Sequence, residues 1–311
     1  MVNVHSKITM ESKAKTWLRA ARPRTVLLSF SGVLMGGFLA FSEGNCNFVA
    51  LAFCALTAIL LQILSNLAND YGDFKKGTDN AERKGPQRVM QGGTITEKEM
   101  LMGIVLVGAL ALLSGATLIF LVSHLNWTEL AVFAALGIAA VLAALLYTLG
   151  KHPYGYCGFG DLFCFIFFGL AAVAGTYYLS TRNLDFSVLL PASAMGFMSN
   201  AVLNINNMRD YENDRASGKN SLVVKIGLQR AFVYHVTLII GAFVCLTIFC
   251  IIKHLSAYCY DFWLLAPLFV KNLIDIKKAE PEQLDPQLPK QVINTFVLVL
   301  FFGVNLLINL P

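Results

Sequence analysis

Charge is scarce in this chain. Only 14% of its 311 residues are Asp, Glu, Lys or Arg, while 56% are hydrophobic and the mean hydropathy is +0.62. Soluble domains carry roughly a quarter charged residues and about 45–50% apolar ones. That shortage argues against a soluble enzyme and against a disordered chain. A cysteine framework is also missing: the seven cysteines are an odd number with no C-x-x-C pair. Most lie in apolar runs, where a thiol behaves as a small hydrophobe, so neither a disulfide scaffold nor a structural zinc site is expected. The five histidines are scattered and form no H-E-x-x-H spacing. Residues 1–24 are basic, but the apolar stretch beyond them lacks a small-residue cleavage site, so it reads as a first membrane span.

What the chain does have is long apolar runs. Stretches of the ~20 residues a spanning helix needs fall at 25–42, 48–68, 101–122, 128–148, 160–180, 186–206, 232–252, 255–273 and 291–310. The eighth is interrupted or flanked by Tyr258, Asp261 and Trp263. The expectation is an all-α, polytopic membrane protein of about nine helices, with a basic arm at 1–24 and one transmembrane domain at 25–311. Charge orients it: 22 of the 24 Lys and Arg residues precede the first run or lie in every second connection, leaving only Arg182 and Lys253 in the alternate ones. Such asymmetry places the N-terminus and the long loops in the cytoplasm. The net charge of +5 is therefore a topology signal, and no nucleic-acid-binding patch is read from it.

Acidic residues gather where two of these runs end. The second ends Asn69-x-x-x-Asp73, with Asp79 beyond Gly77; the sixth ends Asn206-x-x-x-Asp210-x-x-x-Asp214. Residues four apart share a helix face. Asp79 needs a loop to return to the face of Asp73, and Asn66 with Asp70 offers a competing register. The motifs lie 137 residues apart, each on an even-numbered helix. The spacing suggests two pseudo-repeated four-helix halves around a central cavity, plus one extra helix, with both acidic faces at one membrane side. Facing carboxylates repel unless a cation lies between them. Mg²⁺ takes oxygen ligands from one or two carboxylates, phosphate oxygens and water. The pattern thus points to a diphosphate held through Mg²⁺ by Asp73, Asp79, Asp210 and Asp214, with the carboxamides of Asn69 and Asn206 as neutral ligands. Arg88, Arg215 and Lys219 stand nearby to neutralise phosphate oxygens.

The stretches LQILSNLANDYGDFKKGTD (61–79), GPQRVMQGG (85–93), YTLGKHPYGYCGFGD (147–161) and VLNINNMRDYENDRASGKNSLVVKIG (202–227) resemble the UbiA superfamily of intramembrane aromatic prenyltransferases. Over almost the whole chain the resemblance is closest to the branch that acts on 1,4-dihydroxy-2-naphthoate. Gly77 stands where the 4-hydroxybenzoate branch resembles a further Asp, and Asp79 takes its place. The resemblance implies transfer of a polyprenyl group from its diphosphate to the naphthoate, with loss of CO₂ and diphosphate, giving demethylmenaquinone in menaquinone biosynthesis. It implies Mg²⁺ as cofactor, an inner-membrane location in a bacterium, and diphosphate contacts from Arg22 and from Tyr147 with Lys151. No general base is implied, because departure of CO₂ restores the aromatic ring. Asp161 reads as a helix-terminal acid, and the aromatic run Phe163, Phe165, Phe167, Phe168, Tyr177 and Tyr178 reads as lipid-facing or core. Two alternatives stand beside this reading: a 4-hydroxybenzoate or other phenol acceptor, and a secondary transporter with repeated halves.

Overall fold

The structure, a computed structural model, describes residues 12–45, 47–79, 87–122 and 126–308. Cys46 and the loop cations Arg83 and Lys84 lie outside them, as does Lys7. Among the described residues there are helices and no strands. A short helix α1 (Lys13–Ala21), N-capped by Ser12, leads to α2 (Pro23–Ser42), whose first residue is a proline where no N–H is needed. Then come α3 (Phe48–Lys75), capped by Asn47, and α4 (Glu97–Leu121) and α5 (Trp127–Leu146), each opened by a reciprocal capping box. One continuous span, Gly160–Thr181, consists of α6 (Gly160–Cys164), a π-helical stretch Phe165–Ala174 and α7 (Gly175–Thr181). The second half continues with α8 (Leu189–Arg209), the short α9 (Tyr211–Ala216) and α10 (Leu222–Ile226), α11 (Leu228–Ile252), α12 (Ala266–Lys278) and α13 (Gln287–Ile308).

Among the described residues, eight helices are long and apolar enough to cross a membrane. The remaining expected span is present in two pieces, a 3₁₀ stretch Ala257–Leu265 followed by α12. Pro267, near the start of α12, supplies the break: proline has no N–H to donate and obliges the helix to restart. The chain still runs the length of the bundle here. Lys253, just before this segment, bonds Glu43 (3.1 Å) and Asp185 (2.7 Å) at one end, whereas Asp285, just after it, bonds Arg209 at the other.

Each motif-bearing helix packs most extensively on another long helix of its own half, α3 on α4 and α8 on α11, while α2 bridges the halves and α13 lies along α2. In lipid there is no water to drive apolar surfaces together, so close backbone approach matters more. Gly169 in the π-helical stretch shows this, because a Cβ there would come within 2.6 Å of the Ala192 carbonyl on α8. The largest buried cluster fills α2, α8, α11 and α13, with Met35, Met198, Phe243 and Phe302 at its centre. The first half is less filled, and the cavity lies between it and the second.

Candidate active site

A cavity of about 580 Å³ lies between α2, α3, α4, α5, the Gly160–Thr181 span and α8. Its body is apolar, walled by residues such as Val33, Leu61, Leu179, Phe163, Phe167 and Phe168. Three phenylalanines of the aromatic run therefore face the cavity rather than lipid. Phe165 instead packs against Phe197, with the two rings tilted by 44°. Tyr177 donates to Glu43 at 2.5 Å, and Tyr178 donates to Glu129, both at the end away from the acidic motifs.

The charged part of the cavity lining is confined to its motif end, where Arg22, Arg88 and Lys219 stand with Asn69, Tyr147 and Asn206. Each has a structural cause. Arg22 joins α1 to α2 in the left-handed conformation (φ 49°), an unusual posture for a residue with a Cβ. Asn66 fixes the joint, donating to the Ala21 carbonyl (2.9 Å) and the Thr25 hydroxyl (3.0 Å). Arg22 then bonds Asp70, which Arg88 also approaches at 3.5 Å; Arg88 lies 3.6 Å from Asp79 as well. Burial and the like charge of Arg88 lower the pKa of Arg22, whereas for Arg88 burial is outweighed by Asp70 and Asp79 and the net direction is upward. Asn66 and Asp70, the competing register, thus serve the α1–α2 joint, while Asp73 faces the other half of the molecule.

Asp73 accepts from Tyr156 Oη (2.8 Å) and lies 3.5 Å from Lys219 Nζ, which is 3.7 Å from Asp214. Lys219 is buried; burial alone would depress its pKa, but Asp73 and Asp214 overcome this and hold it well above the ordinary lysine value. Beside Asp73 the burial of Tyr156 raises its phenol, and the carboxylate adds to the rise. The loop expected after α3 is formed by Gly77 at φ 72°: the Thr78 and Asp79 amides both return to the Asp73 carbonyl, and Asp79 ends buried. Asn213 Nδ2 donates to the Thr78 carbonyl at 2.7 Å, tying one motif to the other.

On the second motif the helical register runs almost unbroken, the Asp210 amide donating to Asn206 and the Asp214 amide to Asp210. Arg209 grips Asp210 through Nε (2.9 Å) and Nη2 (2.7 Å), takes Asn206 Oδ1 at 2.8 Å, and reaches Asp285 at 2.8 Å through Nη1.

Two of the expected contacts are not brought to the cavity. Lys151 is exposed beyond the turn at Gly150 (φ 91°), which carries it away from Tyr147. Arg215 is exposed on α9, turned from Asp214 by one helical step of about 100°. Asp161 is buried and accepts from Tyr234 at 3.0 Å, in keeping with a structural role. Residues that the motifs alone did not single out are Tyr156, Asn213 and Arg209. Each sits inside a stretch that carries the resemblance, but only the fold shows which acid it meets.

Among the described residues no three His, Cys, Asp or Glu side chains lie close enough together to hold an ion. The carboxylates are instead separated by Arg88, Lys219 and Arg209, as expected for buried acids that need a counter-charge. The donor chemistry nevertheless suits a hard cation: oxygen ligands only, from both halves, and a buried Asn69 Oδ1 without a hydrogen-bond partner. Mg²⁺ commonly uses only one or two carboxylates and completes its shell with phosphate oxygens, so a three-acid cluster is not required. What lines the cavity head is cationic and amide surface, suited to an anion, with the acids one layer behind.

The profile of the UbiA prenyltransferase family matches residues 29–288. The chain is 41% identical over 309 residues to the 1,4-dihydroxy-2-naphthoate octaprenyltransferase of Haemophilus influenzae, covering 98% of this chain and 100% of that one. It is 39% identical to the protein of the same name from Escherichia coli, over 96% and 97% of the two chains. Among solved structures, a UbiA homolog from Aeropyrum pernix K1 superposes with a TM-score of 0.68 at 14% identity over 93% of this chain and 99% of that one. A UbiA homolog from Archaeoglobus fulgidus bound to DMAPP and Mg²⁺ gives 0.62 at 15% identity over 94% and 99%.

Proposed function

Because this chain belongs to the UbiA prenyltransferase family, we propose that it transfers a polyprenyl group from polyprenyl diphosphate to 1,4-dihydroxy-2-naphthoate, releasing CO₂ and diphosphate. It is an integral membrane enzyme, and on this reading its cavity head faces the cytoplasm of a bacterial cell. The observation that carries the proposal is the cavity itself: apolar along its body, and headed by Arg22, Arg88 and Lys219 in front of five buried acids, Asp70, Asp73, Asp79, Asp210 and Asp214. A chain that is greasy along its length and anionic at one end fits that division. The relatives named for this reaction supply the acceptor.

In this reading the guanidiniums of Arg22 and Arg88 and the ammonium of Lys219 receive the diphosphate and orient its ester oxygen toward the cavity body. Asp73, Asp79, Asp210 and Asp214, with Asn69 and Asn206, are the residues that would hold Mg²⁺. Bound there, the metal supplies Lewis-acid stabilisation of the departing diphosphate. The apolar walls exclude water, which would otherwise trap the allylic cation as the C–O bond breaks. The ring carbon bearing the carboxylate attacks that cation. CO₂ then leaves with its bonding pair returned to the ring, so aromaticity is restored without a general base. Lys151 and Arg215 have no part in this account.

The test is direct. Purified protein in detergent receives an allylic polyprenyl diphosphate, Mg²⁺ and carboxyl-labelled 1,4-dihydroxy-2-naphthoate, with 4-hydroxybenzoate in parallel and EDTA as control. Labelled CO₂ released only with metal, together with a prenylated naphthalene, is the expected result. Prenylation of 4-hydroxybenzoate alone would overturn the acceptor, and equal turnover in EDTA would overturn the metal.

A further inference from the structure

Arg209 occupies two of the three side chains, Asn206 and Asp210, that the second motif would offer to a cation. Its guanidinium takes both oxygens of Asp210 and the carboxamide oxygen of Asn206, all within 2.9 Å. On the first motif, Asn69 Oδ1 has no hydrogen-bond partner among the described residues, and Asp73 meets a phenol and a more distant ammonium rather than a guanidinium fork. The fourth bond of Arg209 goes elsewhere, to Asp285 in the connection between α12 and α13. Asp285 is about one-third exposed, whereas Arg209 and Asp210 are almost wholly buried.

We propose that Arg209 and Asp285 are positioning residues that set how readily the second motif takes a metal. The inference rests on the assignment of Asn206 and Asp210 as metal donors. In the arrangement described, Arg209 stands in for the cation on Asn206 and Asp210. For a metal–diphosphate complex to use those oxygens, the guanidinium must give up part of its hold on them while staying neutralised, because a buried unpaired charge is costly. Asp285 is the acceptor that makes this possible. It is already bonded, it comes from a separate segment, and it lies at the water boundary where it can follow the guanidinium. Without it the whole charge of Arg209 falls on Asp210, and the motif competes less well for metal.

The probe is Mn²⁺, titrated into full-length protein in detergent with inorganic diphosphate present and read from the EPR signal of the free ion. Asp285→Asn should raise the half-saturating Mn²⁺ concentration about tenfold, the scale of one charge-assisted hydrogen bond. Asp285→Glu should restore it. The same variants should move the half-saturating Mg²⁺ for turnover in parallel, leaving KM for the acceptor in place. Arg209→Lys keeps the charge but loses the fork, so it should bind Mn²⁺ more tightly than the parent; it carries the test if Asp285→Asn does not fold. Unchanged Mn²⁺ binding in Asp285→Asn, or weaker binding in Arg209→Lys, overturns the proposal. If Asp73→Asn and Asp214→Asn also leave Mn²⁺ binding untouched, the failure belongs to the metal-site reading itself.

Discussion

At the end of α3, Asp73 finds its partners far along the chain: Tyr156 83 residues away and Lys219 146 residues away, the latter at 3.5 Å. At the end of α8, Asp210 is gripped by its own neighbour Arg209 through two bonds of 2.9 and 2.7 Å. The two motifs occupy equivalent places in the two halves, yet Asp73 is held by long-range contacts and Asp210 by a local bidentate pair. The surroundings differ in the same sense. The second half is filled by the large apolar cluster, while the first contributes α3, α4 and α5 to the cavity wall. Both halves wall the cavity, the second through the Gly160–Thr181 span and α8, so the division between them lies in how each motif is held and where the apolar packing is concentrated.

The largest effect that tests this division is removal of the acids themselves. Asp73→Ala and Asp210→Ala should each lower kcat by about 10²–10³-fold, the scale of losing one preorganised electrostatic contact in a transition state. Their stabilities should diverge. Asp210→Ala strips bonds of 2.9 and 2.7 Å from a buried guanidinium and leaves it the partly exposed Asp285, whereas Asp73→Ala takes a 3.5 Å contact from Lys219 and leaves it the buried Asp214. The melting temperature in detergent should therefore fall further for Asp210→Ala. Equal melting temperatures would remove the contrast between the motifs, and near-parental turnover in either variant would remove that acid from the site.

Next in size is Lys219, which lies between Asp73 and Asp214. Lys219→Met leaves those carboxylates without their shared cation, at a cost of about 3 kcal/mol. Added Mg²⁺ with inorganic diphosphate should return more stability to this variant than to the parent, since the metal replaces the missing charge. The pH dependence has a definite sign. A lysine whose folded pKa lies above the ordinary 10.5 contributes its full stabilisation below that value and loses it only as pH rises through the raised one. Between pH 6 and 9 the difference in stability between parent and variant should thus stay flat. A slope within that window would show that Lys219 is not held charged by Asp73 and Asp214.

Much of this was legible in the sequence. The span positions needed only hydropathy and the width of a bilayer, and Gly77 marks the turn that brings the Asp79 amide back to the Asp73 carbonyl. The acids and their spacing mark the two helix ends that meet at the cavity head. The pass through 257–278 was harder to read because Pro267 divides it, so continuity depends on tertiary anchors at Lys253 and Asp285. The cations were the least legible. Motif proximity treats Lys219, Arg215 and Lys151 alike, but helix rotation and one glycine turn send two of them to water and bury the third. Arg209 looks like an ordinary helix-terminal charge until Asp285 is seen opposite it.

Arg22 tests the cavity head apart from either motif's metal donors. It contributes through its bond to Asp70 and its place in the lining, so Arg22→Ala should raise KM for the prenyl diphosphate by about tenfold. KM for the naphthoate should move much less. The reverse pattern would assign Arg22 to the acceptor and require the diphosphate to sit closer to Lys219.

The smallest expected effect is the one that guards the reading against motif proximity alone. Arg215 adjoins Asp214, and Lys151 follows Tyr147 by one helical repeat, so a sequence-based account enlists both. In the structure both are exposed, and neither lines the cavity. An exposed side chain without a partner contributes little, so Arg215→Ala and Lys151→Ala should each leave kcat/KM for the prenyl diphosphate within about twofold of the parent. The assay used for Arg22→Ala measures all three variants side by side. Should Arg215→Ala lose as much as Arg22→Ala, the α9 segment must turn during the reaction to bring that guanidinium onto the diphosphate. The second motif would then be the mobile one, and the contrast drawn between the halves would be inverted.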